Sequence, residues 1–211
     1  MPKISGRTLN EHRDKTRRRL MDALDTLMTE RGFEAVSMSD VAALSGIRRT
    51  TIYNHYTDKE DLLIGFVEEK TSEYLSNTKS MLHGVDSSLD RLRIYVRSQM
   101  LAERSYLIAP GPPLKDVVSP STGMKLAEHG RQTAMLLSSI LENAIDDGTI
   151  PDQDIRTAIQ LINGTLGGRR IPKEEPWRTE FFLYTERFII QGLGAVMPED
   201  PTTLGPVPAS H

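Results

Sequence analysis

Residues 33–63 read FEAVSMSDVAALSGIRRTTIYNHYTDKEDLL, and the order of capping, small and apolar residues in that stretch decides the fold. Ser37 and Asp40 form a Ser-x-x-Asp arrangement, in which the hydroxyl accepts from first-turn amides while the acid answers back. A helix therefore opens at Met38, with Val41, Ala42 and Leu44 as its apolar side. Gly46 ends it, because a residue that accepts positive φ allows a sharp reversal. A short helix is predicted over Arg49 to His55, and Thr57-Asp58-Lys59-Glu60 reads as a full capping box opening a long helix through Leu62, Leu63, Phe66, Val67 and Tyr74. Two steeply crossing helices need a small residue where their backbones approach, a glycine in the turn and apolar residues on the facing sides. Ala42, Gly46 and the trio Val41, Ile47 and Ile52 meet those needs at the spacing of a helix-turn-helix.

Ahead of this stretch, Leu20, Ala23, Leu24, Leu27 and Met28 fall on one stripe of a helix predicted from about Glu11 to Arg31, and Gly32 stops it. Beyond it the chain reads as helical throughout, since no segment sustains a period-two alternation of β-branched residues. Glycine and paired serines mark a loop from His83 to Ser88, followed by a helix from Ser88 to about Ala109 with Leu89, Leu92, Val96 and Met100 inward. Pro110, Pro112 and Pro113 break that helix, and a proline-interrupted connection is predicted as far as Ser121. Met124 to Asp146 is a further amphipathic helix, and Asp152 or Asp154 opens another that runs to Gly167-Gly168. After a polar loop over 169–176, Trp177 to Met197 forms a strongly apolar last helix. From Pro198 on, a proline-rich tail with little to bury is expected to be disordered.

The 211 residues hold no cysteine, which excludes disulfides, thiolate metal sites and cysteine nucleophiles, and fits a reducing cytoplasm. No run of about 18 apolar residues is present, so no membrane span is expected, and the polar N-terminus is not read as a secretory signal. The Asn163-Gly164-Thr165 sequon is accordingly a chance match. Net charge is −3, yet the first 19 residues carry seven basic groups against Glu11 and Asp14, a balance of +5 that leaves −8 on the remainder. A basic end on an acidic body orients that end towards a polyanion. No catalytic signature is found: His12-Arg13-Asp14 copies a kinase triplet with no nucleotide lobe ahead of it, and the QGLGA string from Gln191 sits within a predicted helix. The chain is therefore expected to bind and not to catalyse, with no cofactor and no metal.

The residues Gly32-Phe33, Val41-Ala42, Gly46-Ile47, Thr51-Ile52-Tyr53, Lys59-Glu60 and Leu62-Leu63 resemble the signature of TetR-type regulators, over about residues 12–67. The remainder agrees with that family in length and helical layout. The fold implied is all-α: a three-helix DNA-binding domain over 1–57, a helical effector-binding and dimerisation domain over 58–197, and the tail from 198. The function implied is that of a cytoplasmic, sequence-specific transcriptional regulator, a repressor released from its operator by a small molecule. The alternatives are an effector-independent or architectural DNA binder and an activator of the same fold. Family members commonly carry Ser where Arg48 stands and Gly where Thr50 stands, so this chain loses a helix cap there and gains charge.

In a helix-turn-helix the second helix enters the major groove with its N-terminal residues near base edges. Arg48 and Arg49 are the candidates for reading bases, because a guanidinium grips guanine O6 and N7 with two bonds. Thr50, Tyr53 and Asn54 follow on the exposed side, Asn54 being suited to adenine. Thr51, His55, Tyr56 and Lys59 match family positions that hold phosphates. Tyr53 and Tyr56 also read as core residues, and His55 as a solvated one. Arg17, Arg18 and the basic N-terminus are expected to add backbone or minor-groove contacts. One small head makes few phosphate contacts, so the partner expected is a two-fold symmetric duplex operator bound by a homodimer. The resemblance implies a dimer formed by the last two helices, for which Ile155, Ile159 and Ile162 on one and Phe181, Tyr184, Phe188 and Ile189 on the other supply apolar surface. It also implies an effector cavity among the central helices, with Tyr95, Gln99, Met100, Met124, His129, Gln132, Met135, Leu136 and Trp177 as candidate lining.

Overall fold

A computed structural model describes residues 6–102, 114–167 and 171–198. The predicted tail from residue 199 onward, the segment 103–113 and the first five residues lie outside the described residues. Among the described residues the structure is built from helices: α1 (Gly6–Arg31), α2 (Met38–Ser45), α3 (Arg49–Tyr53), α4 (Lys59–Leu82), α5 (Ser88–Leu101), α6 (Leu114–Val117), α7 (Pro120–Asp146), α8 (Ile155–Leu166) and α9 (Trp177–Gly192).

The chain forms two compact units, Met1–Glu69 with Arg104–Ala127, and Lys70–Glu103 with Glu128–His211. α4 and α7 each give their opening turns to the first unit and the rest to the second. The first unit, or head, closes on Leu20, Leu24, Met28, Phe33, Val41, Ile52, Leu62, Leu63 and Phe66, all almost without solvent contact. The stripe predicted on α1 supplies the first part of this core and the Leu-Leu pair of α4 the last. The second unit, or body, closes on Leu92, Tyr95 and Val96 of α5, Leu137, Ile140 and Leu141 of α7, and Phe182, Ile189 and Ile190 of α9.

Several boundaries differ from the sequence reading. α1 begins at Gly6, ahead of the predicted start at about Glu11. The box at the start of α4 is shifted by one residue. Asp58, not Thr57, accepts from the amides of Glu60 and Asp61, both at 2.8 Å, and Thr57 donates instead to Asp61. A carboxylate is the stronger acceptor for first-turn amides, and the exchange leaves the Glu60 side chain free to act elsewhere. Part of the proline-interrupted connection is helical: α6 forms a single turn, and α7 starts at Pro120 rather than Met124. Proline suits the first helical position, and the Ser119 hydroxyl accepts from the Thr122 amide just inside it. Of the two aspartates proposed to open α8, Asp154 does so, accepting from the Thr157 amide at 2.8 Å. α9 stops at Gly192, five residues early, because the chain turns over at Gly194 with φ +87°, where a Cβ would meet Pro151.

Candidate nucleic-acid interface

The geometry of α2, the turn and α3 follows from three local interactions. The Ser37 hydroxyl accepts from the Asp40 amide, and the Asp40 carboxylate accepts from the Ser37 amide and hydroxyl. Those bonds from Ser37, with Arg31 nearby, hold the Asp40 carboxyl below its ordinary value. Gly46 closes α2 with φ +64° in the left-handed region, a conformation that costs an L-residue roughly 1–2 kcal/mol. Arg19 of α1 then donates from Nη2 to the Ser45 carbonyl, tying the long helix to the turn. Val41 and Ile52 are fully buried beneath, while Ala42 and Ile47 are half-buried and pack on the same core.

What this frame presents outward is α3. Arg48, Arg49, Thr50, Tyr53 and Asn54 are all exposed, Tyr53 to 47%, so the five residues read as base contacts share the accessible side. Arg48 is the residue before the helix and makes no side-chain cap. Arg49 lies over the Tyr53 ring, 5.9 Å from its centroid, and its Nη2 donates to the Tyr53 hydroxyl at 3.5 Å.

The residues read as phosphate contacts divide. Thr51 and His55 are half-buried beside α3, and Arg18 is exposed on α1. Arg17 is exposed but pairs with Glu69 at 2.7 Å. Tyr56 turns its ring inward against Gly65 and the head core, which burial reflects by pushing its hydroxyl pKa up; of its two readings, the core one describes this placement. Lys59 departs furthest from its expected role. Its ammonium donates to the carbonyls of Phe33, Glu34 and Val36 at 3.1–3.3 Å and sits 4.7 Å from the Phe33 ring centroid. An ammonium has three protons, and here all three are used inside the head, so Lys59 fastens the α1–α2 connection instead of facing a phosphate. The basic residues ahead of Glu11 fall outside the described side chains.

The sequence reading missed two further elements. Glu60, freed from its own helix start, accepts from the Ser119 amide at 3.0 Å and its hydroxyl at 2.6 Å, so α4 caps the start of α7. The Ser119 and Thr122 hydroxyls hold the Glu60 carboxyl below its ordinary value. In the body, Arg93 and Arg97 of α5 reach Glu186 of α9 from either side, at 2.5 and 2.7 Å, with Arg93 and Glu186 fully enclosed. The i, i+4 spacing of the arginines puts both on one helix face, but a carboxylate 93 and 89 residues away gives no local sign of the pairing.

The predicted effector residues differ in burial, and Leu136 packs against the core cluster that holds Tyr95 and Met100. Tyr95, Gln99 and Met100 are buried on α5, with Gln99 Nε2 donating to the Tyr95 hydroxyl at 2.9 Å. Nearby on the same helix Ser98 meets the Tyr74 hydroxyl at 3.2 Å. His129 and Leu136 are half-buried, whereas Gln132, Met135 and Trp177 are exposed, and Met124 is an exposed residue of the head. The predicted dimer residues also split. Ile162 and Ile189 lie inside the protomer's own core, which removes them from any outer face. Ile155, Ile159 and Phe181 are half-buried, while Tyr184 and Phe188, together with the unpredicted Leu161, are each 68% exposed. A Cβ at Gly192 would meet nothing within 4 Å among the described residues beyond its own helix.

Residues 20–65, the span just described, match the family of bacterial regulatory proteins, tetR family. That span of the head therefore carries a tetR-family domain. Relatives extend the likeness into the body. The chain is 27% identical over 156 residues to the HTH-type transcriptional repressor KstR2 of Rhodococcus jostii, covering 71% of this chain and 75% of that one. It is 24% identical over 151 residues to the fatty acid metabolism regulator protein of Bacillus subtilis, covering 70% and 77%. The fold of the solved regulator FadR of B. subtilis, in complex with stearoyl-CoA, matches with a TM-score of 0.68 at 20% identity, over 83% of this chain and 96% of that one. Both α2 and α3, with the turn at Gly46 between them, lie within the matched span. Among the described residues no helix is long and apolar enough to cross a membrane.

Proposed function

We propose that this protein is a cytoplasmic, homodimeric transcriptional repressor of the TetR family that leaves its operator when an acyl-coenzyme A thioester binds its body, and that it has no catalytic activity. The observation that carries the reading is the presentation of Arg48, Arg49, Thr50, Tyr53 and Asn54 together on the exposed side of α3, above a turn fixed by Gly46 and Arg19. Guanidinium groups on a short helix held rigidly outward suit a major groove. Arg18, Thr51 and His55 are the residues proposed to meet flanking phosphates.

Dimerisation is supported by Tyr184 and Phe188, two exposed aromatics at i, i+4 on α9, and by exposed Leu161 on α8. Large apolar side chains unpaired within a protomer suit a self-complementary interface. The effector class is supported by relatives of the body named for fatty acid metabolism and for stearoyl-CoA. Within the body, Tyr95, Gln99 and Met100 are the proposed lining, since such pockets combine apolar walls with a few placed polar groups. Binding there would shift the population of head arrangements and lower operator affinity.

The test is a selection from random duplexes with the full chain, followed by anisotropy titration of the enriched duplex with and without stearoyl-CoA. The expected outcome is a two-fold symmetric motif bound by a dimer and released by micromolar acyl-CoA. Enrichment of no motif overturns the DNA reading. A motif whose binding is indifferent to acyl-CoA chains of any length overturns the effector class alone.

A further inference from the structure

The surface of α3 is not chemically uniform. Arg49 is restrained: its guanidinium sits over the Tyr53 ring and donates to that hydroxyl, an i, i+4 pair on one face. Arg48 is the preceding residue, with extended backbone at φ −62° and ψ 137°, and its side chain makes no cap. Neither guanidinium meets a carboxylate among the described residues. Arg48 thus leaves the chain from an extended residue and Arg49 from the first turn of the helix, and only Arg49 is tied to Tyr53. The two forks are therefore held differently and are taken to serve separate bases.

We infer that Arg48 and Arg49 read two different guanines in each operator half-site, and that Tyr53 is a positioning residue that holds the Arg49 fork instead of reading a base itself. The inference rests on the DNA-binding reading above and specifies the sequence that it recognises. A guanidinium fork matches the O6 and N7 acceptors of guanine, which lie side by side in the major groove. A long, exposed arginine gives up rotamer freedom when it is fixed on a base. Tyr53 restrains that freedom before DNA arrives, through both its ring and its hydroxyl. Arg48 has no such restraint, so the two guanines are read by one prepared and one unprepared side chain.

The same forks could instead grip phosphates, which carry no sequence information, and the experiment separates the two. Full-length wild type and the variants Arg48→Ala, Arg49→Ala, Tyr53→Phe and Tyr53→Ala are each taken through selection from random duplexes, with thermal melting as a control of folding. Wild type is expected to enrich two guanines per half-site. Arg48→Ala should lose preference at one of them and Arg49→Ala at the other, each weakening the wild-type site by roughly five- to 150-fold. Tyr53→Ala should blunt discrimination at the Arg49 guanine and nowhere else, with Tyr53→Phe, which keeps the ring, intermediate.

Wild type is then titrated with duplexes carrying 7-deazaguanine at each position, which removes N7 and leaves the phosphates intact. Each substitution should weaken binding in wild type and have little further effect in the matching alanine variant. A motif lacking either guanine overturns the inference. So does uniform weakening of all sequences by the alanine variants, indifference to 7-deazaguanine, or loss of preference at a third position in Tyr53→Ala. Enrichment of no motif by wild type would instead remove the DNA-binding reading beneath it. The 7-deazaguanine titration of wild type stands without any variant, so indifference to it overturns the reading of guanines even if a variant fails to fold.

Discussion

Two pairs of arginines sit in this protein in opposite circumstances. Arg48 and Arg49 are adjacent in sequence, exposed on α3 and not matched to any carboxylate among the described residues. Arg93 and Arg97 are one helical turn apart, buried on α5, and share the carboxylate of Glu186. Spacing accounts for much of the contrast. Arg48 precedes α3 and Arg49 opens it, so the two can serve separate external partners, whereas the i, i+4 pair lies on one helix face and shares Glu186, with Asp90 also reaching Arg93. The same guanidinium is thus a ligand-seeking group in the head and a packing element in the body, and the two should respond in opposite ways to substitution.

The largest effect is expected at Glu186. Replacing it with alanine removes the carboxylate shared by two buried guanidiniums, a change that costs about 3–5 kcal/mol in comparable buried pairs. Thermal unfolding should fall steeply. Exchanging Arg93, Arg97 and Glu186 together for apolar residues of similar volume should recover most of that loss, since a buried ion cluster contributes little net stability against well-packed apolar groups. If Glu186→Ala melts like wild type, the body pair is not held as described and the contrast fails.

The head pair should behave in the reverse manner. Arg48→Ala with Arg49→Ala should leave unfolding within about 0.5 kcal/mol of wild type, as exposed substitutions do. Operator affinity should fall by about 1–3 kcal/mol for each guanine no longer gripped, read by anisotropy on the selected duplex. A fall in melting temperature comparable to that of Glu186→Ala would show that these side chains hold the head together instead of facing DNA.

The two pairs also mark how much of the molecule is legible in its sequence. The head could be read because its determinants are local: a cap and its answering acid three residues on, a glycine whose φ the turn requires, an apolar stripe at helical spacing. Ser37, Asp40, Gly46, Val41 and Ile52 all occupy the places that this logic assigns. Reading by position failed where a side chain had a choice of partners. Lys59 turned from solvent to three carbonyls, and Glu60 left its own helix to cap α7. In the body the deciding interactions span much of the chain. The Glu186 pairing and the inward turn of Ile162 and Ile189, with Leu161, Tyr184 and Phe188 left outside, depend on how α5, α8 and α9 pack. Apolarity alone could not tell which face of α8 or α9 was inner.

A smaller effect is expected at Gly46, in the turn that carries the head pair. Alanine there must adopt a φ of +64°, which costs about 1–2 kcal/mol, and its Cβ would stand 2.8 Å from Arg19 Nη2. The Arg19 side chain can withdraw, but only by giving up its bond to the Ser45 carbonyl. Gly46→Ala should therefore lower the unfolding free energy modestly and weaken operator binding as well, because the turn that aims α3 has moved. Arg19→Ala should reproduce the second effect without the backbone strain. Equal affinities in both variants and wild type would mean that the turn does not aim the reading helix.

The smallest effect concerns acid. The Glu60 contact should contribute to an acid limb of stability. Its carboxyl is held below the ordinary 4.5 by the Ser119 and Thr122 hydroxyls, so the folded state binds its proton less readily than the unfolded chain. The sign follows: the stabilisation from these bonds is complete above the ordinary carboxylate pKa and is lost as pH falls through that value towards the depressed folded one. Asp40 behaves in the same sense, so the informative quantity is a difference between proteins. Glu60→Gln keeps an oxygen acceptor for the Ser119 amide but cannot titrate. Its melting temperature should lie slightly below that of wild type at pH 7 and converge on it between pH 5 and about 3, the range in which wild type loses the charge. Parallel curves over that range would show that the carboxylate on α7 contributes nothing specific, and would return Glu60 to the solvated face of α4.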